Sequence, residues 1–227
     1  MTPEILPRMN NKKKAIIACL VVVALLVIDQ TIKVIVKLNM SLGESIRIFD
    51  WFHIEFIENN GMAWGMELGS KLALSLFRIL AVGFLVWYIA KKIRSGAKTG
   101  FVVVMSMICA GAAGNIFDSL FYGEIFTESQ PYYMGAPPAE LVSWGNGYAS
   151  VLMGRVVDMF YFPIFSGTFP SWFPVWGGER FTFFSPVFNF ADSCITVGLA
   201  LLFIFYRNDL NGDVFKKEKP IQNDSLE

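Results

Sequence analysis

Charge is the first thing this chain lacks. Only 17% of its 227 residues are charged, where a soluble domain carries about 25%. The deficit points to lipid as the solvent for much of its surface. Acidic and basic residues are equal at 19 each, so no excess of either sign recruits a polyanion, and no nucleic-acid partner is expected. Histidine is nearly absent. The single His53 makes a His-ligated metal site unsupported by the composition and leaves no nucleophile–base set with a usable imidazole. The three cysteines, Cys19, Cys109 and Cys194, form no CxxC pair and fall inside apolar runs, where buried, unpaired thiols are expected. There is no GxSxG, HExxH or glycine-rich phosphate loop. No metal and no cofactor are expected.

What is present is hydrophobic: 54% of residues, with four runs long enough to cross a bilayer as helix, at about 15–38, 72–90, 100–122 and 190–206. The first continues through Ile35 and Val36 without a small-residue cleavage site, so it reads as a retained span. Basic residues flank these runs unevenly. Arg8, Lys12, Lys13 and Lys14 precede the first; Lys91, Lys92, Arg94 and Lys98 separate the second from the third; Arg207, Lys216, Lys217 and Lys219 follow the fourth. Together they are 12 of the 19. By the positive-inside rule, both termini and the middle connection are expected in the cytoplasm, with connections 39–71 and 123–189 outside.

The first outer connection alternates apolar and polar residues: Ile46 and Ile48 around Arg47, then Phe52, Ile54 and Phe56 around His53 and Glu55. A period of two predicts strands, ended by the turn signal Asn59-Asn60-Gly61. The second holds 12 aromatics in the 29 residues 160–188, broken by Pro163, Pro170, Pro174 and Pro186. The prolines exclude a fifth spanning helix. Rings there suit the headgroup boundary. The stretch 124–153, rich in Gly, Pro and Tyr without a clear period, reads as an irregular insertion or cap. The expected architecture is a single membrane-embedded domain over 1–227, mainly α, with four transmembrane helices, a small extracytoplasmic β-sheet at about 41–68 and an aromatic-rich interfacial loop.

Ionisable groups inside spans are costly and usually functional. At 1.5 Å per residue, Asp29 lies on the order of 20 Å from the cytoplasmic edge, and Asn115, Asp118, Arg78 and Asp192 fall at a similar, outer depth. Asn115 and Asp118 stand three apart on one helix face, and Asp29 and Lys33 stand four apart, able to pair. Asp158 sits among valines before the aromatic loop, and its natural partner is Asp192 beyond it. Two carboxylates sharing a poorly solvated site share a proton, so that one serves as base toward water and the other as acid toward a carbonyl. The residues alone leave two readings open: a membrane aspartyl hydrolase, and a transporter or proton relay using the same groups.

Five blocks carry a resemblance. They are Asp29-Gln30-Thr31-Ile32-Lys33, Glu58-Asn59-Asn60-Gly61-Met62-Ala63-Trp64, Gly111-Ala112-Ala113-Gly114-Asn115-Ile116-Phe117-Asp118, Gly154-Arg155-Val156-Val157-Asp158 and Phe188-Asn189-Phe190-Ala191-Asp192-Ser193. In this order they resemble the lipoprotein signal peptidase (signal peptidase II) family of membrane aspartyl proteases. The resemblance implies Asp158 and Asp192 as the catalytic dyad. It implies Asn59, Gly61, Asn115, Asp118, Asn189, Asp29, Lys33 and Arg155 as site-supporting or substrate-binding residues. It further implies a prolipoprotein substrate whose cysteine already carries a diacylglyceryl group, cleaved on the amino side of that cysteine near the outer face of the bacterial inner membrane. A lipid-borne substrate requires no second subunit, and a monomer is expected. Two departures stand out: Ser119 occupies the place of the family's usual Arg after Asp118, and 124–153 stretches the usual spacing. Arg78, Arg155 and Arg180 are candidates to supply the missing charge.

Overall fold

The computed structural model describes residues 9–60 and 71–211, so Gly61 lies outside the described residues. Helix α1 (Asn11–Asn39) starts where the Asn10 side chain accepts from the Lys12 amide at 3.0 Å, and it runs through a mainly apolar sequence, broken by Asp29, Lys33 and Lys37, to its C-cap Met40. Strands β1 (Ser45–Phe49) and β2 (Phe52–Asn59) follow, then α2 (Lys71–Arg94) and α3 (Thr99–Phe117). The chain leaves α3 through a π-helical turn, Asp118–Tyr122, and one last turn, α4 (Gly123–Ile125). Three helical stretches, 11–39, 71–94 and 99–125, are long and apolar enough to cross a membrane. After β3 (Val156–Tyr161), β4 (Phe165–Thr168) and β5 (Arg180–Phe183) come the apolar α5 (Phe190–Phe205) and the short α6 (Arg207–Asn211).

Helix α3 is the buried centre, packed against α1, α2 and α5. The outward faces of α1 and α2 expose Leu20, Val23, Val27, Phe77, Leu80 and Phe84. Such a continuous apolar surface is stable only against lipid. Glycines in the quoted blocks allow two close approaches. A Cβ on Gly114 would sit 2.6 Å from an Asp29 carboxylate oxygen, and one on Gly154 would sit 2.2 Å from the Asp118 carbonyl oxygen. At the α1 N-terminal end, Lys14 donates to the Ala97 carbonyl at 2.5 Å, Lys92 to that of Asp209 at 2.6 Å, and Lys98 pairs with Asp209 at 3.1 Å. Lys14, the connection between α2 and α3, and Asp209 of α6 therefore meet at one end of the bundle. One apolar cluster, including Phe101, Val102 and Met105, lies there, and a second, with Val36, Phe56, Tyr122, Phe126, Val157 and Met159, lies beside the sheet. Along α1 the polar residues Asp29 and Lys33 fall between them.

Three features differ from the sequence reading. The sheet has a third strand: β3 pairs antiparallel with β2, with Ile57 opposite Asp158 and Asn59 opposite Val156. Val156, Val157, Asp158 and Met159 are buried in succession, so both faces are covered and no period of two shows. The aromatic stretch is partly regular, with β4 and β5 forming a hairpin whose strands contain no proline, Pro170 and Pro174 lying in the connection between them. Cys109 and Cys194 are buried and unpaired, but Cys19 is exposed, because its position on α1 turns outward from the bundle.

Candidate active site

Lys33 is fully buried and its ammonium group meets three acceptors: Asp118 Oδ2 at 2.8 Å, Asn115 Oδ1 at 2.9 Å and Asp29 Oδ2 at 3.0 Å. An ammonium has three N–H donors, so the match is complete. The pairing foreseen between Asp29 and Lys33 is real but is half of a triad with Asp118. Two carboxylates against one ammonium leave a net negative charge, and neutral donors spread it. Asp29 Oδ1 accepts from the Ala191 amide at 2.9 Å, and Asp118 Oδ2 accepts from the Val157 amide at 3.3 Å. Gln30 donates to Asp118 Oδ1 at 2.8 Å and to Asp29 Oδ2 at 3.1 Å, while its own carbonyl oxygen accepts from the Tyr122 hydroxyl at 3.0 Å. The triad thus ties α1, α3, the first turn of α5 and the start of β3 together.

Asn115 carries the network from this triad to Asp192 and Asn189. Its Oδ1 accepts from Lys33, which turns its Nδ2 to donate to Asp192 Oδ1 at 2.8 Å. Asn189 caps α5: its Oδ1 accepts from the Asp192 amide at 2.9 Å, and Asp192 Oδ2 accepts from the Asn189 amide at 3.3 Å, a reciprocal capping box. The Asn189 Nδ2 group then donates to Asp158 Oδ1 at 2.7 Å and to Asn115 Oδ1 at 3.1 Å. One capping residue therefore contacts both aspartates. Asp158 is buried on β3 and also hydrogen-bonds the Asn59 side chain. Burial, then the charge of nearby Asp192, push its carboxyl up to about 7, against the pull of Asn189, Lys33 and Asn59.

Ser119, standing where a basic residue was anticipated, is buried and donates to the Asn115 carbonyl at 3.1 Å. Of the three arginines considered as substitutes, Arg180 is exposed on the β4–β5 hairpin. Arg155 turns away from Asp158 to Glu58 at 3.1 Å and Glu128 at 3.0 Å. Arg78, on α2, lies within electrostatic reach of Asp192, Asp118 and Asp158. One turn before it, Ser75 donates to the Leu152 carbonyl at 2.9 Å, which turns this face of α2 toward the segment leading to β3. Of the three arginines, Arg78 is the one placed to act on the aspartates.

Sequence reasoning missed Gln30, Lys37 and Glu58. Gln30 lies inside a quoted block, but it is one residue from Asp29 on a helix, and only the packing of α1 against α3 brings it to Asp118. Lys37 stands four residues beyond Lys33, and Glu58 precedes Asn59. That spacing was visible; that both are buried was not.

A family model described as signal peptidase (SPase) II matches residues 21–207. The lipoprotein signal peptidase of Porphyromonas gingivalis is 54% identical over 192 residues, covering 84% of this chain and 82% of that one. That of Amoebophilus asiaticus is 36% identical over 208 residues, covering 88% and 81%. Two solved structures described as bacterial membrane enzymes are similar in fold. One has a TM-score of 0.55 at 25% identity, covering 86% of this chain and 93% of its own, and the other 0.56 at 26%, covering 90% and 93%. The chain belongs to the signal peptidase II family of aspartic peptidases, the lipoprotein signal peptidases.

Proposed function

We propose that Asp158 and Asp192 are the catalytic dyad of this membrane peptidase, and that its substrate is a prolipoprotein bearing a diacylglyceryl cysteine. The observation that carries this reading is the Asn189 side chain, which bonds Asp158 and caps the helix turn holding Asp192. Asp192 lies in the first turn of α5, where the helix dipole favours negative charge, and is assigned the role of base. Asp158 holds the proton. Asp192 takes a proton from water as its oxygen attacks the scissile carbonyl carbon, and Asp158 gives its proton to the carbonyl oxygen. The resulting gem-diol collapses as Asp192 gives its new proton to the cysteine nitrogen and Asp158 takes one back from a gem-diol hydroxyl; the C–N bond breaks, freeing the signal peptide with a new carboxyl terminus and returning both aspartates to their starting states. Arg78 offsets the negative charge of the pair. Incubation of the purified protein with a diacylglyceryl-modified prolipoprotein, followed by gel shift, tests this. Absence of cleavage would overturn it.

The setting proposed with it is a monomer of one domain in the bacterial inner membrane, with α5 as a fourth span. At 1.5 Å per residue its 16 residues reach about 24 Å, close to the hydrocarbon thickness. The end where Lys14, Lys92 and Lys98 gather is proposed as cytoplasmic, which puts the dyad near the outer face, where a lipid-anchored cysteine resides. The relay reading is disfavoured because the polar groups cluster at one depth instead of tracing a path across the bilayer.

Two expected results belong here. The reaction needs no metal, so EDTA leaves turnover unchanged; loss of activity restored by a divalent ion would overturn the mechanism. The β4–β5 hairpin presents Trp172 and Trp176, the former 77% exposed, and it is proposed to seat at the outer interface and grip the lipid-modified peptide. Trp172→Ala with Trp176→Ala should raise KM several-fold with little change in thermal stability. Wild-type kinetics in that variant would reduce the hairpin to an anchor.

A further inference from the structure

The insertion 124–153 is built onto the site rather than hung from it. The Leu42 amide donates to the Gln130 carbonyl and the Tyr132 amide to that of Leu42, both at 2.9 Å. The Ala149 amide donates to the Gly123 carbonyl at 2.9 Å, and that of Gly154 to the Ser119 carbonyl at 3.0 Å. The segment thereby folds over the outer end of α1 and the exit of α3.

Beneath it lies a second buried charge cluster, one helical turn outward from Lys33. Lys37 is fully buried and pairs with Glu58 Oε1 in a short contact, while donating to Ser129 Oγ at 2.9 Å. Ser129 Oγ in turn donates to Glu58 Oε1 at 2.9 Å. Around the ammonium stand the rings of Tyr148 at 5.0 Å, Phe126 at 5.3 Å and Phe56 at 5.9 Å. Glu58 Oε2 accepts from Arg155, whose other terminal nitrogen reaches Glu128 and whose plane lies over Tyr148 at 5.1 Å. The Arg155 amide donates to the Tyr148 hydroxyl oxygen at 2.6 Å. The insertion therefore contributes Ser129, Glu128, the Tyr148 hydroxyl and two of the three rings. Without them, Lys37 and Glu58 would be a bare buried pair, with donors and acceptors left unmatched.

The position of this cluster in the chain gives it a consequence for the site. Glu58 immediately precedes Asn59, the last residue of β2, and Arg155 immediately precedes Val156, the first of β3. Asn59 and Val156 are partners in the ladder. The cluster thus clamps the open end of the β2–β3 pair, from which Asn59 reaches the carboxyl of Asp158 two residues along β3. Strand ends fray unless something holds them, and here the holder is supplied by the insertion.

We infer that the insertion is a positioning element for the dyad: through Ser129, Glu128 and Tyr148 it fixes Glu58 and Arg155, and so sets Asn59 against Asp158. The inference rests on the proposed dyad but adds to it a role for residues that touch neither aspartate. A displacement on the order of 1 Å at a reacting group costs up to ~10²-fold in rate, so a loosened clamp acts on turnover more than on substrate binding.

The experiment is a double-mutant cycle on the full-length purified protein with a diacylglyceryl-modified prolipoprotein, reading kcat and KM separately. Glu58→Gln is expected to lower kcat about 10-fold at unchanged KM. In an Asn59→Ala background the same change is expected to cost less than about 2-fold, because the group it positions is gone. Ser129→Ala with Tyr148→Phe, which removes no charge and keeps the rings, is expected to show a smaller kcat loss with the same dependence on Asn59. It also stands in if Glu58→Gln fails to fold. Effects that multiply independently of Asn59, or wild-type kcat in the Ser129/Tyr148 variant, would overturn the inference and leave the dyad standing. Asp158→Asn, run alongside, reports on the dyad itself: retained turnover there would remove the reading beneath the inference.

Discussion

Asp158→Asn and Asp192→Asn should each lower turnover by on the order of 10³ to 10⁴-fold while leaving the protein folded in the membrane. Each substitution preserves shape and most of the hydrogen bonding. An amide at 158 still accepts from Asn189, and one at 192 still accepts from Asn115. What is lost is the ability to carry a proton, and no neighbouring group can stand in. Asp29 and Asp118 are committed to Lys33. A gel-shift assay on both variants, with circular dichroism to verify folding, makes the check. Substantial residual cleavage in either would remove that residue from the dyad. The pH dependence follows from the same chemistry. Asp158 is pushed up to about 7 by burial and by Asp192, and in the proposed role of acid its protonated form is the active one. The rate should therefore hold below that value and fall as pH rises through it. The two groups titrate as a coupled pair, so the limb of the profile belongs to both. Isotope-edited infrared on the two Asn variants locates the resting proton, and finding it mainly on Asp192 would reverse the roles of acid and base without dissolving the pair.

Lys33→Met should destabilise the fold more than any other single change at the site, by roughly 3–5 kcal/mol. Methionine fills the space of the lysine stem, so the loss is electrostatic. Asp29 and Asp118, both buried, are left facing each other without the cation that balances them, and Asn115 loses the donor that orients its amide. Because Asn115 Nδ2 bonds Asp192, catalysis should fall along with stability. Adding Asp118→Asn to Lys33→Met removes one of the orphaned charges and should restore part of the stability. Thermal unfolding in detergent of the single and double variants decides this. A Lys33→Met melting temperature equal to wild type would show that the three-way pairing contributes nothing net.

Much of this protein was legible in one dimension. Hydropathy and length alone locate the three long helices and α5, because lipid forces backbone polar groups to be satisfied within each segment. The depth of Asp29, Asn115, Asp118 and Asp192 follows from helical rise. The five sequence blocks select a family. Tertiary structure alone decided the rest, because those facts depend on which buried faces meet. That Lys33 serves two aspartates, that Gln30 joins them, and that Arg155 leaves Asp158 for Glu58 are outcomes of how α1, α3 and β3 pack. The third strand was hidden because a strand buried on both faces loses its alternation. The role of 124–153 was hidden because its residues act by closing around Lys37 and Glu58, two charges that become a buried pair only when strand and helix ends are brought together under the insertion.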